Sequence, residues 1–302
     1  MDEWPSGLRS RPLLRTAGIT DAELRRLRVV RALVTVRPGG YVAADDPALQ
    51  IPAGRHALAI RAALPHLADG SVVSHVSAAI VHGLPVWRIP LDRVHVTRNR
   101  RSGGRRTRHV HLHAATLDLD EITEVDGVVV TTRARTVADL ARTVPFEQAV
   151  VVADGALFGG LHRSAVLDAV VRSAHRRGNT AALRAVEFAD GRAESPDESR
   201  SRVAIARCGL PVPILQHRFE IAGGARVDFW WPEHGTVGEF DGRVKYGRLL
   251  RPGQDPAEVL WEEKRREDAL RDTGASVVRW VWDEIPTFDP VADRIRRAFA
   301  RH

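Results

Sequence analysis

Three carboxylates, Asp228, Glu239 and Asp241, have the residue types and spacing to hold a metal ion. Glu239 and Asp241 lie two residues apart in the strand-like run TVGEFDGRVKY, and alternation along a strand puts both on one face. Asp228 belongs to the preceding strand-like run, ARVDFWW, and Pro232-Glu233-His234-Gly235 reads as the turn between them. A hairpin closed there brings Asp228 beside Glu239. Val237, Phe240 and Val244 flank the acids, so this is not a charged loop. Carboxylates that converge in a sheet repel one another, and the cluster is tolerable only if one acid stays protonated or a cation sits among them. Oxygen-only ligands suit Mg²⁺ or Mn²⁺. Such an ion orients an attacking water and stabilises charge developing on a phosphodiester. The plainer reading is a pair of exposed strand acids bridged to nearby arginines.

The elements that must position these acids are legible around them. Ser195-Pro196-Asp197-Glu198 opens a helix, with Ser as N-cap, Pro in the first turn and acids at its positive end. Glu198 then falls at the third helical position, where a capping-box partner belongs. ILQHRFEI reads as a strand before the hairpin, ASVVRWVW as a strand after it, and a final helix starts near Val291. Trp280, Trp282 and Phe299 are expected in the core. A helix around Trp261 carries Arg265 and Arg266, and GRAESPDE reads as a linker into this last part.

Composition bounds the rest. At 302 residues, two or three domains are expected. The single cysteine, Cys208, excludes an intramolecular disulfide and a cysteine-rich zinc site. No apolar run reaches the roughly 18 residues of a membrane span, and MDEWPSGLRSRP has no apolar signal core, so a cytoplasmic location is expected. The net charge of +7 is uneven: residues 1–118 hold 18 Lys+Arg against 9 Asp+Glu, a net +9. Basic character confined to the N-terminal part suggests a footprint for nucleic acid, against a merely solvated basic surface. Of the 45 Lys+Arg only Lys245 and Lys264 are lysines, both in the last third. Lysine is a compact point charge whose proton can be shifted, which arginine's cannot.

The N-terminal part reads as a short helix over 8–17, then Thr20-Asp21-Ala22-Glu23 as a capping box opening a second helix. That helix spaces Leu24, Leu27 and Val30 along one face, with Arg25, Arg26 and Arg28 around it. LVTVRPGGYV follows as strand, turn and return strand. This is the order of a winged helix-turn-helix, whose second helix lies in the major groove; the alternative is a helical hairpin packed on the next domain. Further on, HALAIRAALPHL and VVSHVSAAIVHGL read as helices and LDRVHVTR and RHVHLHAA as strands. The basic loop RNRRSGGRRTRH between those strands, with Arg105 and Arg106, is either a hairpin tip or a phosphate-contacting finger. His109, His111 and His113 alternate on one strand face, but without a carboxylate or cysteine at ligand spacing a metal there is not favoured.

Two resemblances cover most of the chain. GITDAELRRLRVVRALVTVRPGGYV, SVVSHVSAAIVHGLPVW, VHVTRNRRSGGRRTRHVHLH and VVVTTRARTVADLART, over roughly residues 5–160, resemble the AbiEi-like antitoxin and transcriptional-regulator family. That resemblance implies a winged helix joined to a mixed α/β domain, binding to double-stranded DNA, and a cognate toxin or other protein as partner. SPDESRSR, VDFWWP, VGEFDG and WEEKRREDALRDTGASVVRW, over roughly 194–300, resemble the restriction-endonuclease-like PD-(D/E)XK superfamily, most closely its very-short-patch-repair (Vsr-like) branch. Carried over, Asp228 is the metal-binding aspartate, Glu239 the second acid and Glu198 an accessory acid. The superfamily's lysine, two residues after the second acid, is here Asp241. Lys245, after the Gly242 bend, is the favoured substitute; Lys264, with Glu263 and Glu267 at ion-pair spacing, is the other.

The expected architecture is therefore an α/β multidomain chain: a winged helix over 1–53, an AbiEi-like α/β domain over 54–193, and a restriction-endonuclease-like domain with a central mixed sheet over 194–302. The leading expectation for function is a divalent-metal-dependent DNA endonuclease using Mg²⁺ or Mn²⁺. A regulator or antitoxin whose nuclease fold is inactive is the second, and a structural protein with an incidental acidic site the third.

Overall fold

The computed structural model describes residues 7–173, 176–220, 224–242, 270 and 272–301. The protein is a mixed α/β chain, and its described residues form three sheets, two of them mixed in strand direction. It divides into two compact units. One takes the chain up to Val152 together with Leu161–Glu187, and the other takes Ala153–Gly160 together with the chain from Phe188 onward. Among the described residues no helix is long and apolar enough to cross a membrane.

The first unit opens with two side-chain-capped helices. Ser10 Oγ accepts from Leu13 N at the start of α1 (Arg11–Thr16), and Thr20 Oγ1 accepts from Glu23 N at the start of α2 (Asp21–Val29). Of the apolar residues spaced along α2, Leu24 is buried with Leu14 and Tyr41, while Val30 just past its end is exposed. A three-stranded antiparallel sheet follows, ordered β1 (Arg9–Ser10), β3 (Gly40–Ala43), β2 (Leu33–Arg37). Gly40 is required at its turn, since a Cβ there would meet Ala62 Cβ at 2.7 Å on α3 (Pro52–Ala63).

The six-stranded sheet of this unit runs β6 (Arg105–Arg106), β7 (Val110–Ala115), β5 (Val94–Asn99), β4 (Ser71–Val73), β9 (Val128–Thr131), β8 (Ile122–Val125). It corrects two local expectations. VVSHVSAAIVHGL is not helical throughout: Val72 and Val73 pair with Thr97 and Val96 on β5, and only His75–Val81 forms the helix α4. Buried β-branched residues with partners on both sides favour the strand. The strands flanking the basic loop pair in parallel, so the loop is a crossover and not a hairpin tip, and its Arg105–Arg106 become an edge strand on β7. Behind the sheet, α5 (Arg133–Thr143) carries Arg135, which is fully buried and ion-paired to both Glu121 and Asp139.

His56 of α3 is 2% exposed, with Nε2 at 2.8 Å from Ser77 Oγ and Nδ1 at 3.0 Å from Leu91 O. Burial holds its pKa below the ordinary histidine value. Below about pH 6.5 the unfolded chain binds a proton at this site that the folded chain refuses, so stability falls as pH falls. His56→Gln is expected to flatten the stability–pH slope of the metal-free chain below about pH 6.5, by at most about 1.4 kcal/mol per pH unit, the limit set by one proton. Chemical denaturation at pH 7 and pH 5.5 reads this; equal slopes in the two proteins would refute it.

In the second unit α9 (Pro196–Arg207) precedes a four-stranded sheet ordered β10 (Ile214–Phe219), β11 (Ala225–Trp231), β12 (Thr236–Phe240), β13 (Ser276–Trp280). β10, β11 and β12 are antiparallel neighbours, and β13 joins β12 in parallel. The turn between β11 and β12 is the expected Pro232–Gly235 segment, with Gly235 at φ +47 in the left-handed region. Phe229, Trp231, Phe240, Val278 and Trp280 form a core with Ala204 and Ile205 of α9 and with Val291, Ala292 and Ile295 of the last helix (Asp289–Phe299). Trp280 is 1% exposed and donates its indole N–H to Ser201 Oγ at 2.8 Å, whereas Trp282, expected inside, is 44% exposed. Gly238, in the middle of β12, leaves room for this packing, since a Cβ there would lie 2.7 Å from Trp280 Cη2 and 3.0 Å from Trp231 Cζ3. Gly238→Ala is expected to destabilise the second unit by about 1–3 kcal/mol through overpacking, read as a lowered Tm. An unchanged Tm would mean the tryptophans repack freely.

Candidate active site

β11 and β12 place the acids. Their antiparallel register pairs Phe229 with Gly238 and Trp230 with Val237, so Asp228 and Glu239 are the residues adjoining the last paired positions of the two strands. Asp228 Oδ2 accepts the Phe240 backbone N–H at 2.9 Å, fixing the carboxylate against the end of β12. Glu239 is 7% exposed, and the parallel partner of its backbone on β13 is Arg279, whose Nε donates to Glu239 Oε2 at 2.9 Å. Asp241 lies just past β12, with its N–H on Trp280 O at 2.8 Å. Among the described residues these carboxylates are not drawn into a tight trio, contrary to the expected convergence of all three.

Glu198 fills the capping role and does more. Ser195 Oγ accepts from Glu198 N at 3.1 Å, while the Glu198 carboxylate accepts from Ser195 Oγ at 2.8 Å and Glu194 N at 3.0 Å. The same carboxylate also takes the Gln216 side-chain N–H at 2.8 Å from β10. Burial raises the Glu198 pKa, and the negative charge of Asp228 raises it further, so the first helix and the acidic strand share one electrostatic site. Lys245 and Lys264, with the helix expected around Trp261, lie outside the described residues.

Two features of this site escaped the sequence. Gln216 sits in β10 between Leu215 and His217, which pair with Phe229 and Val227, so it faces the Asp228 position; its φ is +53 and its buried Oε1 has no hydrogen-bond partner among the described residues. One glutamine in an unremarkable strand gives no sequence signal. The second is a cavity of about 390 Å³ beside β13, lined by Arg279, Arg294, Arg297 and Arg301 among others. The spacing of Arg294, Arg297 and Arg301 in DRIRRAFARH does hold a signal for it, since residues three, four and seven apart share a helix face. In the first unit, Arg25, Arg26, Arg28, Arg105 and Arg106 are all exposed, with Arg26 paired to Glu23 at 3.4 Å and Arg106 Nε donating to His111 Nε2 at 3.2 Å.

No family model matches the chain. It is similar to two Mycobacterium tuberculosis proteins carrying the names Uncharacterized protein MT2308 (strain CDC 1551 / Oshkosh) and Uncharacterized protein Rv2248 (strain ATCC 25618 / H37Rv), each 34% identical over 181 residues. The match takes in 59% of this chain and 63% of each relative, so the chain spans less than two thirds of the length of the curated proteins it matches. A solved structure, that of the RV2827C protein from Mycobacterium tuberculosis, aligns with 69% of this chain and 78% of its own at 14% identity; its TM-score of 0.37 is too low to carry an argument.

Proposed function

We propose that this protein is a DNA-binding, divalent-metal-dependent phosphodiesterase whose endonuclease-type site lies in the second unit. The observation that carries the reading is the Asp228 carboxylate held on the Phe240 backbone N–H, at the residue next to Glu239, with Glu198 tied through Gln216 to the neighbouring strand. The donors suit a hard cation: every candidate ligand is oxygen, and the orphaned Gln216 Oε1 adds a neutral one. Asp228, Glu239 and Asp241 would hold Mg²⁺ or Mn²⁺, which when bound supplies Lewis-acid stabilisation at the phosphate. Glu198 positions Gln216, whose side-chain N–H its carboxylate accepts. Arg297 and Arg301, in the cavity lined also by Arg279, grip backbone phosphate, with Lys245, or else Lys264, as the compact cation. Residues 1–53 act as a winged helix that reaches duplex DNA through Arg25, Arg26 and Arg28, the 54–193 segment adds Arg105 and Arg106, and 194–302 cuts, in keeping with the AbiEi-like and Vsr-like resemblances.

One observation favours a second reading, a regulator or antitoxin built on an inactive nuclease fold: the Arg279 guanidinium already neutralises Glu239, and Asp241 stands where the superfamily keeps lysine. Manganese titration separates the two. On the first reading one Mn²⁺ binds per chain, tighter with duplex DNA present, and Asp228→Asn abolishes it; DNA binding without Mn²⁺ uptake would leave the second. Both readings expect salt-sensitive DNA binding. Replacing Arg25, Arg26 and Arg28 with alanine should reduce the slope of log affinity against log salt by about 0.9 for each phosphate those side chains neutralise, and an unchanged slope would take them out of the interface.

A further inference from the structure

Three histidines that the sequence keeps far apart meet in the first unit. His75 opens α4 directly after β4, His95 lies on β5 and His113 on β7. One ligand nitrogen from each lies within 4.8 Å of the others, and no other group of three imidazole, carboxylate or thiol ligands among the described residues is so gathered. His95 Nδ1 and His113 Nε2 are 3.2 Å apart. Two nitrogens bound to one tetrahedral ion at about 2.0–2.1 Å would be about 3.3–3.4 Å apart, so this pair already has the separation of two ligands. We propose that His75, His95 and His113 form a binding site for a borderline transition-metal ion of the Zn²⁺ class, with the fourth coordination position left open.

The surroundings fit that role. Parallel pairing of β5 and β7 sets His95 opposite His111 and Thr97 opposite His113, so all four side chains share one face of the sheet. His111, the fourth side chain on this face, accepts from Arg106 Nε at its Nε2 and lies outside the group of three converging ligand atoms. His75 has φ +52, a left-handed conformation that a residue other than glycine adopts at a cost. Its ring stacks on His113, with centroids 3.6 Å apart and planes 14° from parallel, so one of the two rings must turn before both in-plane lone pairs can meet one ion. Its Nδ1 is 3.0 Å from Ser74 Oγ, which also accepts the Thr97 hydroxyl at 2.8 Å; Ser74 and Thr97 are fully buried. An outer partner on the far ring nitrogen is how proteins fix the tautomer of a metal-bound histidine, here leaving Nε2 for the ion. Burial lowers the pKa of all three, to about 4 for His95 and about 2 for His113, so each presents a neutral ring to an ion. Arg135 and Arg142 face His75, but both are ion-paired to Asp139, which faces His113. Neutral imidazoles with no carboxylate select Zn²⁺ over Mg²⁺ or Ca²⁺, and three protein ligands with a water in the fourth place is the composition of a reactive zinc centre, not of a closed structural one.

The test is calorimetric titration of Zn²⁺ into the untagged, metal-free 302-residue chain. The titration is run in the Asp228→Ala background, which disables the acidic site of the other unit. There one Zn²⁺ per chain is expected, weakened on the order of 100-fold or more by adding His95→Gln or His113→Gln and about 10-fold by adding Ser74→Ala, the scale of outer-partner losses. Absence of binding, or binding that survives both histidine substitutions, overturns the proposal. Nitrogen-15 spectra of the wild-type imidazoles test the same point without a variant. One equivalent of Zn²⁺ should move the ring nitrogens of His75, His95 and His113 and spare those of His56 and His82, and shifts confined to other histidines would overturn it.

Discussion

Asp139→Ala is expected to destabilise the first unit by about 3–5 kcal/mol, the cost of stripping the counter-charge from buried cations. Asp139 is 2% exposed and binds three arginines: Arg135 Nε at 2.9 Å, Arg142 Nη1 at 2.7 Å and Arg176 Nη1 at 3.6 Å. The Arg135 and Arg142 side chains are themselves 1% and 3% exposed, so neither can turn to water when its partner is removed. Glu121, the other partner of Arg135, balances one cation at most. Asp139→Asn keeps the shape and some hydrogen bonds while losing the charge, and should fall between wild type and alanine. Hydrogen exchange on β5, β7 and α5 reads the first unit alone. Protection there that is unchanged in Asp139→Ala would mean that water or a rearranged Glu121 takes over the role of Asp139.

The second large effect is expected on chemistry. Asp228→Ala and Glu239→Ala should each lower metal-dependent cleavage on the order of 1000-fold or more, the equivalent of several kcal/mol of transition-state stabilisation. Stability should move far less. The Arg279 side chain, 29% exposed, can reach water once Glu239 is gone, so losing that pair should cost about 1 kcal/mol or less. Asp228 accepts a backbone N–H at the end of a strand, and its loss leaves that donor near a half-buried surface. A large loss of activity with a small loss of stability is the signature of a working site. Comparable losses in both would make the acids structural.

Local signals in the sequence carried the second unit well. The capped start at Ser195, the turn with its left-handed Gly235, and the strands at VDFWW and VGEF, which pair as a hairpin, were legible because each depends on neighbours a few residues away. The parallel addition of β13 was not legible, since a crossover partner is chosen by tertiary packing, and with it went the Glu239–Arg279 pair. The same limit hid the histidines. Alternation linked His111 and His113 along one strand, but the ligand set needs His75 from a helix start and His95 from a parallel neighbour. Reading VVSHVSAAIVHGL as one helix buried the strand-to-helix turn that aims His75. Arg135 and Asp139, four apart on α5, look like an ordinary surface pair, and nothing in the spacing says that the helix face carrying them is buried.

Cleavage of supercoiled DNA is the measurement that bears most directly on the central claim. The wild-type chain, incubated with Mg²⁺ or Mn²⁺, is predicted to convert supercoiled DNA to nicked or linear forms, to stop when the metal is chelated, and to lose the activity in Asp228→Ala and Glu239→Ala. Salt-sensitive binding of the same DNA with no cleavage under either metal would contradict the account, and would leave a DNA-binding regulator on an inactive nuclease fold.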